Sequence, residues 1–200
     1  MRGNHAGCAA AGRYRGCGGC VPDRSVRENR ASCGHSTRTE DRLTTPFTSP
    51  PMQVEQDWTD YNGHLNMAYY HLLFDRAVDG ALVPLGLGPE VAAKTGASVF
   101  TAQAQVHYMR ELHAGDRVVV ETRLIEHDSK RLHYVQTMRR VGEDAPAAIS
   151  ENLVLHVDLN SRRVAPFTPE VLARIAEAVA AHADLPLPRQ VGRQVGLRRD

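Results

Sequence analysis

From Ser98 to Asp158 the sequence leaves room for strands and tight turns only. Phe100, Ala102, Ala104, Val106 and Tyr108 alternate with Thr101, Gln103, Gln105 and His107. That period of two predicts a half-buried strand with the first set on its inner face. Ala114-Gly-Asp116 predicts a turn, and Arg117–Ile125 a second strand. His127-Asp-Ser-Lys130 turns the chain into a third, Arg131–Arg140, and Gly142-Glu-Asp-Ala-Pro146 into a fourth, Ala147–Asp158. Turns this short exclude crossover connections, so the strands must pair as an antiparallel meander. A meander with one apolar face needs a second layer to cover it.

The cover precedes it in the chain. Met67, Tyr70, Phe74, Ala77/Val78 and Ala81/Leu82 recur at three-then-four spacing, which predicts one long helix with one buried face. It runs to about Val83, where Pro84, Gly86, Gly88 and Pro89 stop it. A short helical piece is expected over Glu90–Lys94, closed by Gly96. Val54–Trp58 reads as the first strand, with Pro46, Pro50 and Pro51 keeping the residues before it irregular. Thr168-Pro-Glu170 opens a last helix ending near His182, with Val171, Leu172, Ile175 and Val179 on its apolar side. The expected class is α+β: about five antiparallel strands wrapped around a central helix, plus a C-terminal helix.

Composition bounds the rest. Two hundred residues, 42% hydrophobic, suffice for one sizeable core. A formal charge of +1 argues against bulk electrostatic binding to nucleic acid or to a membrane surface. No apolar run approaches a membrane span, and no apolar segment of a secretory signal follows the first residues, so the expected compartment is the cytoplasm. Residues 1–42 are rich in Gly, Arg and Ser and poor in large apolar residues, and are expected to form a disordered leader. All four cysteines lie there: Cys8, Cys17, Cys20 and Cys33. Cys17-x-x-Cys20 with Cys33-Gly-His35 has zinc-ligand spacing but lacks the apolar residues of a folded zinc module, so no metal and no cofactor are assigned. The expected division is a leader over 1–42, one domain over 43–182 and a flexible tail over 183–200.

Chemistry concentrates in Trp58-Thr-Asp-Tyr-Asn-Gly-His-Leu-Asn-Met-Ala-Tyr-Tyr70. Asn62-Gly63 supplies a tight turn and Asn66 the N-cap of the long helix. Asp60 is thereby placed across a turn from a helix N-terminus, where free N–H groups and partial positive charge can stabilise an oxyanion. A carboxylate facing such a terminus is an acyl-transfer arrangement. As a bland alternative, Asp60 would only cap the turn, His64 would only brace the loop and Asn66 would only cap the helix.

The motif Asp60-x-Asn62-Gly63-His64-x-Asn66, followed by Tyr70, resembles the acyl-CoA thioesterases of the hotdog fold, in the 4-hydroxybenzoyl-CoA thioesterase-like branch. Phe74-Asp-Arg-Ala77, Thr95–Thr101, Tyr108-Met-Arg-Glu-Leu112, Ala114-Gly-Asp116 and His127–Leu132 are most similar to the betainyl-CoA thioesterases of carnitine breakdown. The likeness covers roughly residues 44–180. It implies that Asp60 attacks the thioester carbonyl or activates the water that does. It implies that amides around Asn66 and Met67 polarise the carbonyl, and that His64 contacts the thioester oxygen or the water. Asp75, on the helix, is the reserve carboxylate, with a structural acid as its competing reading.

An acyl-CoA substrate has two ends. Arg110, Lys130 and Arg131 lie at strand ends or turns and suit the phosphates of CoA, with solvated surface charge as the alternative. A betainyl group carries a quaternary ammonium, for which aromatic faces are the natural partner. Trp58 and Tyr61 are the cage candidates. Asn62, Gly63 and Tyr70 complete the expected substrate-binding set, although Tyr70 also belongs to the buried stripe. The resemblance further implies a homodimer or homotetramer. Two competing functions share the scaffold. A hotdog enoyl-CoA hydratase or dehydratase would use an Asp/Asn/His set, but here the histidine is one residue too close and the intervening proline is missing. A non-catalytic acyl-CoA-binding module would bind without turnover.

Overall fold

The computed structural model describes residues 43–197. The cysteines and the zinc-like spacing of the leader lie outside the described residues. Two short strands, β1 (Phe47–Thr48) and β2 (Met52–Gln53), precede helix α1 (Met67–Leu82) and the shorter α2 (Pro89–Thr95). Four long strands follow: β3 (Ala97–Tyr108), β4 (Arg117–His127), β5 (Arg131–Arg140) and β6 (Pro146–Asp158). A two-residue strand β7 (Arg163–Val164) and helix α3 (Pro169–His182) complete the domain. The sheet is antiparallel, in the order β1-β4-β5-β6-β3, with β2 also on β4 and β7 on β6. The meander, the central helix and the C-terminal helix are those the sequence predicts.

Helix α1 covers the sheet because its stripe is continuous. Tyr70, Leu73, Phe74 and Ala77 are buried with Val118 and Val120 of β4, Met138 of β5, and Ala147 and Ala148 of β6. A second cluster joins Leu82, Leu85 and Leu87 to Leu124, Leu132, Tyr134 and Val154, roofed by Phe167, Ile175 and Ala178 of α3 and its approach. Each large aliphatic side chain fully buried there contributes about 1.5–3 kcal/mol. Gly80 lets β1 approach the helix: a Cβ there would lie 2.5 Å from the Phe47 ring.

Two expectations are corrected. Val54–Trp58 is not a strand. Gln53 already pairs with Arg117, the first residue of β4, so the chain beyond it has no partner strand. Val54 instead exchanges backbone bonds with the Gly115-Asp116 turn, and Gln56–Trp58 coils into a 3₁₀ turn that buries Trp58. The alternation of β3 also breaks. Thr101 faces Val154 and Gln103 faces Leu153, so Ala102 is the extra residue of a β-bulge. Beyond the bulge Ala104, Val106 and Tyr108 share the side of Thr101, while Phe100 is turned to the outer side and is 51% exposed. Val99 takes the inner place against the second cluster.

Candidate active site

The Asp60 loop is built by local hydrogen bonds and then pinned to the sheet. Asp60 N donates to His64 O (2.9 Å) and Gly63 N to Asp60 O (3.0 Å). The Asp60 side chain accepts from Asn62 N at 2.8 Å and more weakly from His64 N at 3.4 Å. Gly63 takes φ +78°, a left-handed conformation that costs any residue with a Cβ, which is why the Asn-Gly pair stands here. Asn66 N donates to Trp58 O (2.9 Å), and Leu65 N to Leu112 O (2.7 Å), which fixes the loop to the segment after β3.

Asn66 is the N-cap of α1, with φ −64° and ψ 143°. Its side chain accepts from Ala68 N at 3.0 Å, and its carbonyl from Tyr69 N at 3.0 Å. The Asn66 amide, expected to help polarise a carbonyl, is held by Trp58 O. The Met67 amide is the one at this terminus that donates no hydrogen bond among the described residues. It sits where the partial positive charge of the helix is concentrated.

Asp60, His64, Leu65, Met67, Tyr70 and residues 108–111 line one cavity of about 330 Å³. Tyr70 donates to Arg110 O (3.2 Å), and burial raises its hydroxyl pKa. Its ring meets Tyr108 edge to face at 5.1 Å. His64 Nε2 lies 3.2 Å from Glu111 Oε2, and the His64 ring stands edge-on to His113 at 5.2 Å. Arg140 holds the far wall: it reaches Asp116 at 2.9 Å and Glu143 at 3.4 Å and donates to Glu111 O. Arg110 is in the cavity wall, with Glu143 at 3.5 Å.

The other expected substrate contacts lie elsewhere. Trp58 is 7% exposed, stacked on Tyr69 at 5.4 Å with the Arg76 guanidinium 5.3 Å from its ring centroid. Within this chain its ring is packing, not cavity wall. Tyr61 is 97% exposed at the turn. Asn62 and Gly63 shape the loop rather than the cavity wall. Arg131 begins β5 with Lys130 just before it, whereas Arg140, which holds the Glu111 carbonyl in the segment facing the Asp60 loop, ends that strand about 30 Å away. Arg131 is held by Asp128 at 2.6 Å. Asp75 lies about 12 Å along α1 from Met67 and lines a separate cavity of about 380 Å³ with His71, Phe74, Tyr134 and Gln136. Burial and the acids Asp75 and Asp79 push the Tyr134 hydroxyl strongly up.

Sequence reasoning passed over Glu111, Tyr108, Met109 and Arg140 as site residues. The first three stand in a quoted segment. Nothing in linear spacing shows that a strand end 40 residues from Tyr70 returns to it. His64, Glu111 and His113 also bring one donor atom each within 4.8 Å of the others, the only such group with metal-ligand spacing among the described residues. Two imidazoles and a carboxylate can hold a divalent ion, but here His64 and Glu111 already satisfy each other.

The chain matches the thioesterase-like superfamily over residues 54–175. It is 40% identical over 156 residues to a betainyl-CoA thioesterase of Pseudomonas aeruginosa, covering 78% of this chain and 96% of that one. Among solved structures, a candidate thioesterase from Pseudomonas putida KT2440 is 32% identical, with a TM-score of 0.66 over 77% of this chain and 98% of its own. The Staphylococcus aureus protein SAV2348, solved in complex with CoA, superposes with a TM-score of 0.70 at 24% identity, covering 76% and 96% of the two chains. The fold is the hotdog fold.

Proposed function

The chain belongs to the thioesterase-like superfamily and is a thioester hydrolase; on that premise we propose that its substrate is betainyl-CoA, cleaved to the free betaine and CoA. The observation that carries this reading is the placement of Asp60 and the unbonded Met67 amide in the wall of one cavity. The likeness to the Pseudomonas aeruginosa enzyme supplies the acyl group.

The chemistry follows from that placement. The thioester carbonyl oxygen points at the Met67 amide, where the charge developing in the transition state is stabilised by the helix terminus. Asp60 acts by one of two routes. Its oxygen attacks the carbonyl carbon, the C–S bond breaks with CoA leaving as the thiolate, and water then opens the mixed anhydride to regenerate Asp60, one of its protons passing to the thiolate. Alternatively, Asp60 takes a proton from a water whose oxygen attacks the same carbon, and that proton goes to the leaving sulfur. Both balance to one water consumed and one carboxylate, one thiol and one proton released. Single-turnover hydrolysis in ¹⁸O-labelled water separates the general-base route, which puts one label in the product, from a nucleophilic route in which water opens the anhydride at the Asp60 carbonyl, which puts the label in Asp60 and none in the product.

His64 orients the attacking group or the thioester oxygen, with Asn66 maintaining the helix terminus. Residues 43–182 are the working domain, acting as a homodimer or homotetramer in the cytoplasm in the breakdown of carnitine. Among the described residues no helix is long and apolar enough to cross a membrane. Arg110 is the CoA-phosphate contact at this cavity within the chain. Release of CoA from betainyl-, acetyl-, butyryl- and 4-hydroxybenzoyl-CoA, followed with a thiol reagent, tests the reading. Betainyl-CoA is expected to lead by orders of magnitude. A flat profile would overturn the acyl assignment, and turnover of crotonyl-CoA by hydration would overturn hydrolysis.

A further inference from the structure

A betainyl group sets a strict geometric condition. Its quaternary ammonium is one methylene from the carbonyl carbon. When that carbon is within attack distance of Asp60, about 3–3.5 Å, the cation must lie in the same cavity. This removes the aromatic and acidic groups that line other places. Trp58 is occupied by Tyr69 and Arg76. Asp75 and Tyr134 belong to the cavity further along α1.

The Asp60 cavity has its own set. Tyr108 ends β3 and is 45% exposed, with its ring crossed against that of Tyr70. Glu111 follows three residues later, with its side chain 65% exposed and its carboxylate anchored on one side by His64. Met67 and Met109 add polarizable thioethers to the same wall. The charges favour a cation. Asp60 and Glu111 are both in the lining, His64 there is paired with Glu111, and Arg110, the one Arg or Lys in the lining, has Glu143 beside it. A quaternary ammonium has no hydrogen-bond donor, so it needs what this wall offers: an aromatic face and a carboxylate without directional demand.

We propose that Tyr108 and Glu111 hold the quaternary ammonium of the acyl group and select a cationic substrate over its neutral isostere. This rests on the betainyl reading of the same site. It assigns Glu111 two contacts: His64 on one side and the cation on the other.

The test uses two substrates of one shape: betainyl-CoA and 3,3-dimethylbutanoyl-CoA, in which carbon replaces the ammonium nitrogen. The kcat/KM ratio between them is measured for the wild type, Glu111→Gln, Glu111→Asp and Tyr108→Leu. The wild type is expected to prefer betainyl-CoA. Glu111→Gln and Tyr108→Leu are each expected to lower that ratio roughly tenfold, and Glu111→Asp to restore part of it. Equal losses on both substrates would overturn the proposal, because a residue acting only through His64 or through folding cannot distinguish nitrogen from carbon. A wild-type preference for the neutral ester would overturn both the proposal and the betainyl reading. A wild-type preference for betainyl-CoA with ratios unmoved in every variant would overturn the proposal alone.

Discussion

His64 Nε2 and Glu111 Oε2 lie 3.2 Å apart, joining two segments that are 47 residues distant in sequence. The contact closes the Asp60 loop onto the segment after β3, beside the backbone bond from Leu65 to Leu112. One wall of the cavity therefore comes from a helix terminus and the other from a strand end. Four expectations follow from this construction and from its support.

Asp60→Asn separates chemistry from stability. The amide oxygen can still accept from Asn62 N, so the thermal midpoint should stay within a degree or two of wild type. Hydrolysis should fall by about 10²–10⁴-fold in kcat, as removal of a general base or nucleophile does. CoA release and a thermal melt on the same sample check both. A loss of stability with little loss of rate would reduce Asp60 to a turn cap.

Asn66→Ala removes the acceptor that holds the Ala68 amide. The expected cost is about 1 kcal/mol, or about 2–4 °C in the thermal midpoint for a domain of this size. Asn66→Asp keeps the cap and should recover that stability. If the cap also positions the Met67 amide, the alanine variant loses kcat beyond what its stability explains.

Arg123 lies buried in β4 and donates to the carbonyls of His182 and Ala183 at the end of α3. Its Nε and Nη1 find no partner among the described residues, and burial lowers its pKa, an effect that Glu121 partly opposes. Arg123→Ala should destabilise by about 2–4 kcal/mol through the cavity it leaves. Arg123→Met fills the space and removes a poorly compensated buried charge, so it should cost about 1 kcal/mol or less. Denaturant unfolding of the two variants reads the difference.

His182 accepts from Leu124 N through Nδ1, and burial lowers its pKa below the ordinary histidine value, with Arg123 adding to the shift and the Thr45 backbone and Glu121 opposing it. Near neutral pH the imidazole is uncharged in the folded and unfolded chains and contributes no pH dependence. As pH falls below about 6.5 the unfolded chain takes up the proton first, so this stability is lost downward from there until the folded histidine titrates too. The thermal midpoint should therefore drop between pH 7 and 5.5, and His182→Gln should make that drop shallower. Parallel curves for the two proteins would rule out His182 as a source.

The turn-linked strands, the single long helix and the Asp60–Asn66 loop were legible because each is written in neighbouring residues. Alternation, three-then-four spacing, Asn-Gly and an N-cap asparagine are short-range signals with one physical solution each. They determined an antiparallel sheet with a helix against it and a carboxylate at that helix's N-terminus. Only the tertiary structure decided what faces the carboxylate. β4 begins at Arg117, so Val54–Trp58 had no strand to pair with and coiled, burying Trp58 against Tyr69. One extra residue at Ala102 turned Phe100 to the outer face, while Ala104, Val106 and Tyr108 kept the inner one, where Tyr108 meets Tyr70. Lys130 and Arg131 read as phosphate contacts by their place in a turn, yet that turn is at the opposite end of β5 from the loop. A bulge and a strand end change which residues meet without changing any local pattern. For that reason the candidate carboxylate could be placed from the sequence, while the walls around it required the sheet's register.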